Sequence, residues 1–433
     1  MLRIFDDGTA DFSRALERVA SRGEADHAKV EPVVREILAA VAREGDEAVL
    51  RYTEAFDKRR PARLLLRDFE GEAALARLPS AAREALELAA ARIRAFHERQ
   101  RDVGFRYTHE GITLGTRVRP VLRAGVYAPG GKARYPSSVL MSAIPAQVAG
   151  VREILLATPL AGDASDDVLF AAAHLSGVTA VVDSGGAQVI AALAYGTQSI
   201  PRVAKIVGPG NAYVACAKRL VFGAVDIDGI AGPSEILVVA DDEADPRVIA
   251  ADLLSQAEHD EAAYALLVCA SQSMASAVAT EVEAQLAVLP REAIARASIE
   301  ANGAIFVAGT RLRMVELANV VAAEHLSLQV RDPDAMLDAI DHAGAAFLGP
   351  LTPEAVGDYL AGPSHVLPTG GTVRFGSPLG VYDFYSRTSI IAYSADALAR
   401  QAGAVTELAR LEGLEGHARA VEVRFPKDSG GHR

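Results

Sequence analysis

The sequence predicts an α/β protein built on two parallel sheets, and three observations carry that expectation. From residue 118 onward, short apolar runs alternate with glycine-bearing turns and helical stretches, as in VLRAGVYAPGG, VREILLATP, VTAVVDSGGAQVIAALAYGT and VAKIVGPGNAYVACAKRL. Strand, turn and helix in repetition is the pattern of parallel strands joined by crossover helices. The same rhythm returns at EILVVADD, DPRVIAADLLSQAEHD, YALLVCAS, AIFVA, HLSLQV and AAFLG, which predicts a second sheet. Finally, 433 residues, half of them hydrophobic and 23% charged, suffice for roughly two or three domains of about 150 residues each.

Taken in chain order, the N-terminus MLRIFDDGTADF has acidic residues where a signal peptide needs a basic region and an apolar run. No stretch reaches the about 18 uninterrupted apolar residues of a membrane span, so neither export nor a membrane partner is expected. Residues 28–57 space their apolar side chains by three and four and predict amphipathic helices broken near Gly45; a further helix is expected over about 79–100. The first sheet is expected over about 127–235 and the second from 236 to about 380. Beyond 380 the pattern reads as helical and ends in LEGLEGHARAVEVRF, which has too little apolar surface for a core of its own. That segment is expected to dock elsewhere, as on a second subunit, and the tail KDSGGHR to fray.

Charge and cysteine content exclude several classes. A formal charge of −12, with no basic block beyond Lys58-Arg59-Arg60, leaves no footprint for a phosphate backbone, so nucleic acid is not an expected partner. Cys216 and Cys269 stand far apart in apolar contexts and form neither a disulfide framework nor a zinc-type pair, which fits a reducing cytoplasm.

Parallel sheets bind ligands at the carboxyl ends of their strands. Three such ends carry polar groups: Tyr127 before APGG, Gln188 after SGG and Asn211 in GPGN. None spells G-x-G-x-x-G, and a competing reading is that these glycines only shape strand-to-helix turns. In LLSQAEHD, Gln256 and His259 lie at i and i+3, so an amide oxygen and an imidazole share one helix face as candidate metal ligands or as helix-end caps. Further ligands are offered by Asp358 and His365 in EAVGDYLAGPSHVLPT and by Glu412 and His417 in LEGLEGH, a thiolate-free set compatible with zinc.

AAEHLSLQV places Glu324 and His325 at the mouth of a strand. Neighbours in an extended chain face opposite sides, so both serve one substrate only from the irregular turn before it. His325 would move protons near neutral pH and Glu324 would activate water, the alternative being a helix end capped by the imidazole. Ser234, in IAGPSEILVVAD, can hydrogen-bond a polar ligand but lacks the G-x-S-x-G elbow of a hydrolase. His27, His97, His109, His174, His342 and His432 have no such company and read as surface or structural.

Over nearly its full length the chain resembles the histidinol dehydrogenase family, through GVYAPGG, YPSSVLMSAIPAQVAGV, GGAQVIAALAYGT, KIVGPGNAYV, DIDGIAGPSEILV, DLLSQAEHD, AEHLSLQV, GDYLAGPSHVLPTGGTVRF, VYDFYSRTSI and LEGLEGHARAV. The resemblance implies two Rossmann-like domains without the glycine fingerprint and small helical terminal segments. It divides the chain into an N-terminal arm (1–22), a discontinuous first domain (23–126 with 236–380), a second domain (127–235) and a C-terminal helical segment (381–433) reaching the partner subunit's site in a homodimer. It implies zinc held by Gln256, His259, Asp358 and His417, and NAD contacted by Tyr127, Gln188 and Asn211. Glu324 and His325 are implied as the acid/base pair, and Ser234, Gln256, His259, His325, Asp358, Glu412 and His417 as substrate contacts, with His365 nearby. The implied reaction oxidises L-histidinol to L-histidine through the aldehyde with two NAD in succession. Pro363, Ser364 and Asp260 depart from the family pattern beside the site. A relative acting on a sulfonated diol would want positive groups where Ser234 and Glu412 stand, and a zinc hydrolase would leave the glycine turns without a role.

Overall fold

The computed structural model describes residues 2–22, 27–130 and 134–425; Gly131, the KDSGGHR tail and His432 lie outside the described residues. Two units emerge, one of residues 1–101 and 121–384, the other of residues 102–120 and 385–433.

The larger unit holds both parallel sheets. Sheet one runs in the order β2 (Leu65–Leu66), β7 (Ala180–Val182), β6 (Glu153–Ala157), β5 (Arg123–Tyr127), β8 (Lys205–Val207) and β9 (Asp226–Ile227). All neighbours are parallel except β2, which is antiparallel to β7. Sheet two runs β1 (Arg3–Asp6), β12 (Ala304–Val307), β11 (Tyr264–Cys269), β10 (Glu235–Ala240), β13 (His325–Gln329) and β14 (Ala345–Leu348), parallel throughout. In each sheet the chain travels outward on one side and then returns to the other. The order therefore reverses between β5 and β8 in sheet one, and between β10 and β13 in sheet two.

The strands of sheet two read as unbroken apolar runs because both faces are covered. Ile236, Val238 and Ala240 of β10 enter one buried cluster, with Ile249 and Leu253 of α10 (Pro246–Ala257) and Val278 of α11 (Gln272–Leu286). Leu237 and Val239 enter the other, with Phe12 of α1 (Ala10–Ala20) and Leu317 of α13 (Arg311–Val321). Residues 2–22, expected as an arm, are thus an integral edge strand and helix: Phe12 sets its ring edge-on to Phe306, 5.2 Å between centroids.

The domain grouping also needs correction. α2 (His27–Glu44) and α3 (Asp46–Asp57), parted at Gly45 as expected, bury Val34, Ile37, Val41 and Val49 in one cluster with Val189 and Leu193 of α8 (Gly186–Tyr195) and Val214 of α9 (Ala212–Val221). Together with β2 on β7, this joins residues 27–66 to the 123–227 sheet and not to the 236–380 segment. α5 (Ser80–Glu98) fills the predicted 79–100 helix, and α6 (Pro136–Ala149), nearly all of it buried, follows β5. Among the described residues no helix is long and apolar enough to cross a membrane.

The smaller unit differs from the all-helical expectation after residue 380. Tyr385–Tyr393 is strand β15, paired antiparallel with β4 (Ile112–Pro120), which pairs with β3 (Phe105–His109). Its β-branched and aromatic residues, Tyr385, Thr388, Ile390, Ile391 and Tyr393, fit a pleated surface better than a helix. α16 (Ala395–Leu411) and α17 (Glu415–Glu422) complete the described part of this unit.

Candidate active site

The reversal of strand order in sheet one puts a crevice at the carboxyl ends of β5 and β8, and two of the three polar turn residues stand there. Tyr127 ends β5, and its hydroxyl accepts the Gly186 amide at 3.3 Å. Asn211 is the N-cap of α9, its Oδ1 accepting from Tyr213 N and Val214 N at 3.1 Å each. Gln188 lies in the first turn of α8 after β7, buried, with an Oε1 that has no hydrogen-bond partner among the described residues. A buried amide oxygen without a donor is costly, and a ligand that donates there would satisfy it.

Gly208 turns the chain at φ +113°, where a Cβ would run into the Tyr127 carbonyl, so only glycine lets the β8 turn close against β5. Two residues that sequence reasoning passed over lock this turn. Asp228 accepts the Gly208 amide at 2.7 Å, and Lys218, ion-paired with Asp228, donates to the Gly208 carbonyl at 2.9 Å. The amino ends of α8 and α9 face the same edge, and their helix dipoles favour an anionic ligand.

Sheet two assembles a different kind of site at its opposite edge. α10 runs back from the carboxyl end of β10, so its last turn delivers Gln256 and, just beyond, His259 to the amino edge. The short helix α15 (Glu354–Tyr359) brings Glu354 and Asp358 onto one face at i and i+4. Ligand-capable atoms of His259, Glu354 and Asp358 all lie within 4.8 Å of one another. His259 Nε2 is 4.0 Å from Asp358 Oδ2, and His365 Nδ1 is 3.6 Å from Asp358 Oδ1. Gln256 turns its amide to Glu354; with the nitrogen facing the carboxylate it donates to the two oxygens at 2.9 and 3.2 Å. Glu354 was absent from the expected set, though its spacing to Asp358 was readable.

Glu324, in the bend before β13, and His325, its first residue, stand beside this cluster. The adjacent-residue problem is solved by the preceding bend, where Ala322 takes the left-handed region at φ 48°. Both side chains converge on the backbone of Glu235, the first residue of β10. Glu324 Oε2 accepts the Glu235 amide at 2.9 Å, and His325 Nδ1 donates to the Glu235 carbonyl at 3.0 Å. A carbonyl can only accept, so Nδ1 carries the proton and Nε2 keeps a free lone pair, 3.8 Å from Glu354 Oε1. Ser234, one residue earlier, sits at the same edge, and Tyr264 N donates to its carbonyl at 3.0 Å.

Burial shapes the protonation. Desolvation pushes the Glu324 carboxyl well above the ordinary carboxylate range, with repulsion from Glu235, Glu354 and Asp358 adding to it. Glu354 is raised in the same way, by desolvation and then by Asp358. Burial pushes the His325 imidazole down to about 4, against the attraction of Asp358. Burial thereby reverses the ordinary order of proton affinity, the carboxyl holding its proton more tightly than the imidazole, with His325 Nδ1 3.6 Å from Glu324 Oε2. Burial alone would raise Asp358 too, but His365, His325 and His259 hold it below the usual range. Glu324, Glu354 and Asp358, with the imidazoles of His259, His325 and His365 among them, form an O/N donor set that suits a divalent cation such as zinc.

The loop after α15 meets α6, the helix that follows β5 of sheet one. The Tyr359 hydroxyl, next to Asp358, is pushed up by burial and then by Asp358, Glu258, Glu354 and also Tyr135, the residue before α6 at the carboxyl edge of sheet one. Of the remaining expected residues, Ser364 is turned away, its hydroxyl donating to the Met141 carbonyl on α6 at 3.2 Å. Glu412, the C-cap of α16, and His417, in the first turn of α17, belong to the smaller unit.

Comparison with known proteins adds a further set of observations. The family model described as Histidinol dehydrogenase matches residues 20–425. A protein of Syntrophotalea carbinolica named histidinol dehydrogenase is 53% identical over 432 residues, covering 99% of this chain and 100% of the relative. One of Lactiplantibacillus plantarum with the same name is 49% identical, covering 98% and 99%. The crystal structure of histidinol dehydrogenase from Elizabethkingia anophelis superposes with a TM-score of 0.91 at 32% identity, covering 98% of both chains.

Proposed function

The chain belongs to the histidinol dehydrogenase family, and from that membership we propose how its residues divide the work. The enzyme carries out the NAD-dependent oxidation of histidinol to histidine, with NAD and zinc as its cofactors. NAD supplies the acceptor for two successive two-electron oxidations, and zinc a Lewis-acidic anchor for the substrate. We assign the zinc to Gln256, His259 and Asp358, with Glu354 against them and His417 contributed by a second subunit. A bound cation would favour the Gln256 oxygen over its nitrogen. Tyr127, Gln188 and Asn211 are assigned to NAD, and Ser234, His325 and Glu412 join the metal ligands in holding the substrate.

The observation that carries this reading is the convergence of the His259–Glu354–Asp358 cluster with Glu324 and His325 at one strand edge. Oxidising the alcohol carbon releases a hydroxyl proton as its hydride leaves, and the bare Nε2 of His325 takes that proton. The aldehyde must then gain water before a second hydride can leave, and the Glu324 carboxylate, when ionised, orients and deprotonates that water. His325 receives the proton of the resulting diol, and histidine, two reduced cofactors and three protons result. Fixing the imidazole and amine of the substrate against rigid ligands holds the carbinol carbon at one distance from His325, which is where the positioning advantage arises. NADH formation from L-histidinol in a ratio of two per substrate is the expected result; turnover of a sulfonated diol with none of histidinol would overturn the assignment.

We infer a homodimer with shared sites. Among the described residues of the smaller unit the buried apolar side chains are three alanines, Ala397, Ala409 and Ala418, while Val103, Phe105, Ile391, Leu408, Leu411 and Val423 are exposed. So much uncovered apolar surface fits a subunit interface. Mixing His325→Asn with His417→Ala subunits tests it. If His417 serves the partner's site, each mixed dimer regains one intact site of two, and an equal mixture, about half of it mixed dimers, recovers roughly a quarter of wild-type activity; no recovery would place both residues in a single chain's site.

A further inference from the structure

We propose that the buried ion pair between Arg22 and Glu235 positions the acid/base pair, acting through the first residue of β10. The inference rests on the roles given above to Glu324 and His325. Both partners of the pair are almost fully buried, with side chains 1% exposed. Arg22 arrives from the turn after α1 and meets Glu235 as a fork, Nε on one carboxylate oxygen and Nη2 on the other at 2.7 Å. Two further donors go to the Val19 carbonyl at 2.7 Å and the Ala322 carbonyl at 3.4 Å, the latter in the left-handed bend that leads into Glu324.

Glu235 in turn holds both reacting side chains. Its carboxylate accepts the Glu324 amide at 3.1 Å while its own amide donates to the Glu324 carboxylate at 2.9 Å, a reciprocal pair across the two strand ends. Its carbonyl fixes the His325 tautomer at 3.0 Å. The same carboxylate also takes the Gly370 amide at 3.2 Å, tying down the loop that follows His365. Arg22 thus orients one carboxylate whose backbone and side chain set the place of a second carboxylate and of the imidazole.

A buried ion pair is weak evidence for stability, since apolar residues of similar volume often serve as well or better. A planar fork that reaches two oxygens at once is, however, good at fixing direction, and lysine cannot copy it. The position of the pair, one residue removed from the chemistry, is what gives it a positioning role. It also explains why the first 22 residues are built into sheet two: β1 and α1 carry Arg22 to its place.

The test uses the full-length zinc-loaded enzyme with Arg22→Met, Arg22→Lys, Glu235→Gln and the double variant Arg22→Met/Glu235→Gln. Arg22→Met is expected to lower kcat about 10- to 100-fold, as a displaced catalytic group does, with KM for histidinol and zinc stoichiometry unchanged. Arg22→Lys should recover part of that loss, and the double variant should fall no further than the worse single one, because the two residues act as one unit. Should Arg22→Met fail to fold, Arg22→Lys carries the test with a drop of up to about tenfold in kcat at constant KM. Unchanged kcat in Arg22→Lys and Glu235→Gln, or a loss that merely follows zinc content, would overturn the proposal. Nitrogen-15 spectra of histidine-labelled protein read the same contact without turnover. His325 should show protonated Nδ1 and bare Nε2 in the wild type and a mixture of tautomers in Arg22→Lys; identical spectra would also overturn it. A wild type that makes no NADH from histidinol would instead overturn the functional reading, while the spectra still decide the positioning role.

Discussion

At the carboxyl edge of sheet one the ligand-facing groups come mostly from turns: the amino ends of α8 and α9, the Gly208 bend, and an amide oxygen on Gln188 without a partner among the described residues. At the amino edge of sheet two they are side chains, gathered from α10, α15, β13 and the loop to His365, and most of them are buried and titratable. Their electrostatics differ accordingly. The carboxylate that locks the Gly208 turn at the first edge, Asp228, is paired with Lys218, while Glu324 and Glu354 at the second are pushed up by burial and by neighbouring carboxylates. An edge made of turns suits an extended anionic cofactor, which needs shape and partial positive charge. An edge made of crowded carboxylates and imidazoles suits a metal and proton transfer.

The largest effect that would sharpen this contrast is expected from His325→Asn. It should cost roughly two to four orders of magnitude in kcat while leaving zinc content and the KM for NAD unchanged. An enzyme close to wild type would move proton transfer away from the sheet-two edge. Glu354→Gln should next weaken zinc retention about 10- to 100-fold in a chelator competition, since its carboxylate stands within the cluster of His259 and Asp358. Unaltered retention would leave Glu354 with a proton or packing role alone.

Gly208→Ala attacks the other edge. The forced positive φ costs about 1–3 kcal/mol and the new Cβ meets the Tyr127 carbonyl, so melting temperature should fall and KM for NAD rise with zinc stoichiometry intact. Loss of zinc instead of NAD affinity would break the division between edges. The smallest change is expected from Asp252, buried beneath sheet two with Ser327 and Gln329 at 3.4 and 3.3 Å. Burial raises it from 3.8 to about 6. A raised folded pKa gives stability that is complete below about pH 4 and is lost as pH rises through 6. Asp252→Asn should therefore be more stable than wild type at pH 8, by up to about 3 kcal/mol, and equal to it at pH 4. A constant difference across that range would show that the carboxyl titrates as it does in the unfolded chain.

Much of the scaffold was legible because strand and helix periods were clean. Each short apolar run between glycine turns became a strand, and Gly45 broke α2 from α3 where the pattern did. The strand β15 was signalled only by composition, the β-branched and aromatic residues of YSRTSIIAY, with no period of two to set it apart from the helices that follow. The grouping of α2 and α3 with sheet one could not be read, because the apolar face of an amphipathic helix does not name its partner. At the site, Gln256 with His259 declared itself by i, i+3 spacing, and Glu354 with Asp358 by i, i+4. Arg22 and Glu235 did not: 213 positions separate them, and an arginine after a short helix looks like any solvated cation until the fold buries it. The use of the amino edge of sheet two was equally hidden, since the general rule for open parallel sheets points to the other end of the strands.

The central claim is that a metal-dependent oxidation is staged at the amino edge of sheet two, opposite the turns of sheet one. Anomalous scattering collected at the zinc absorption edge from crystals of the full-length protein tests it most directly. The predicted result is one strong peak per subunit enclosed by Gln256, His259 and Asp358. A peak elsewhere, or zinc bound in solution with none among these residues in the crystal, would contradict it.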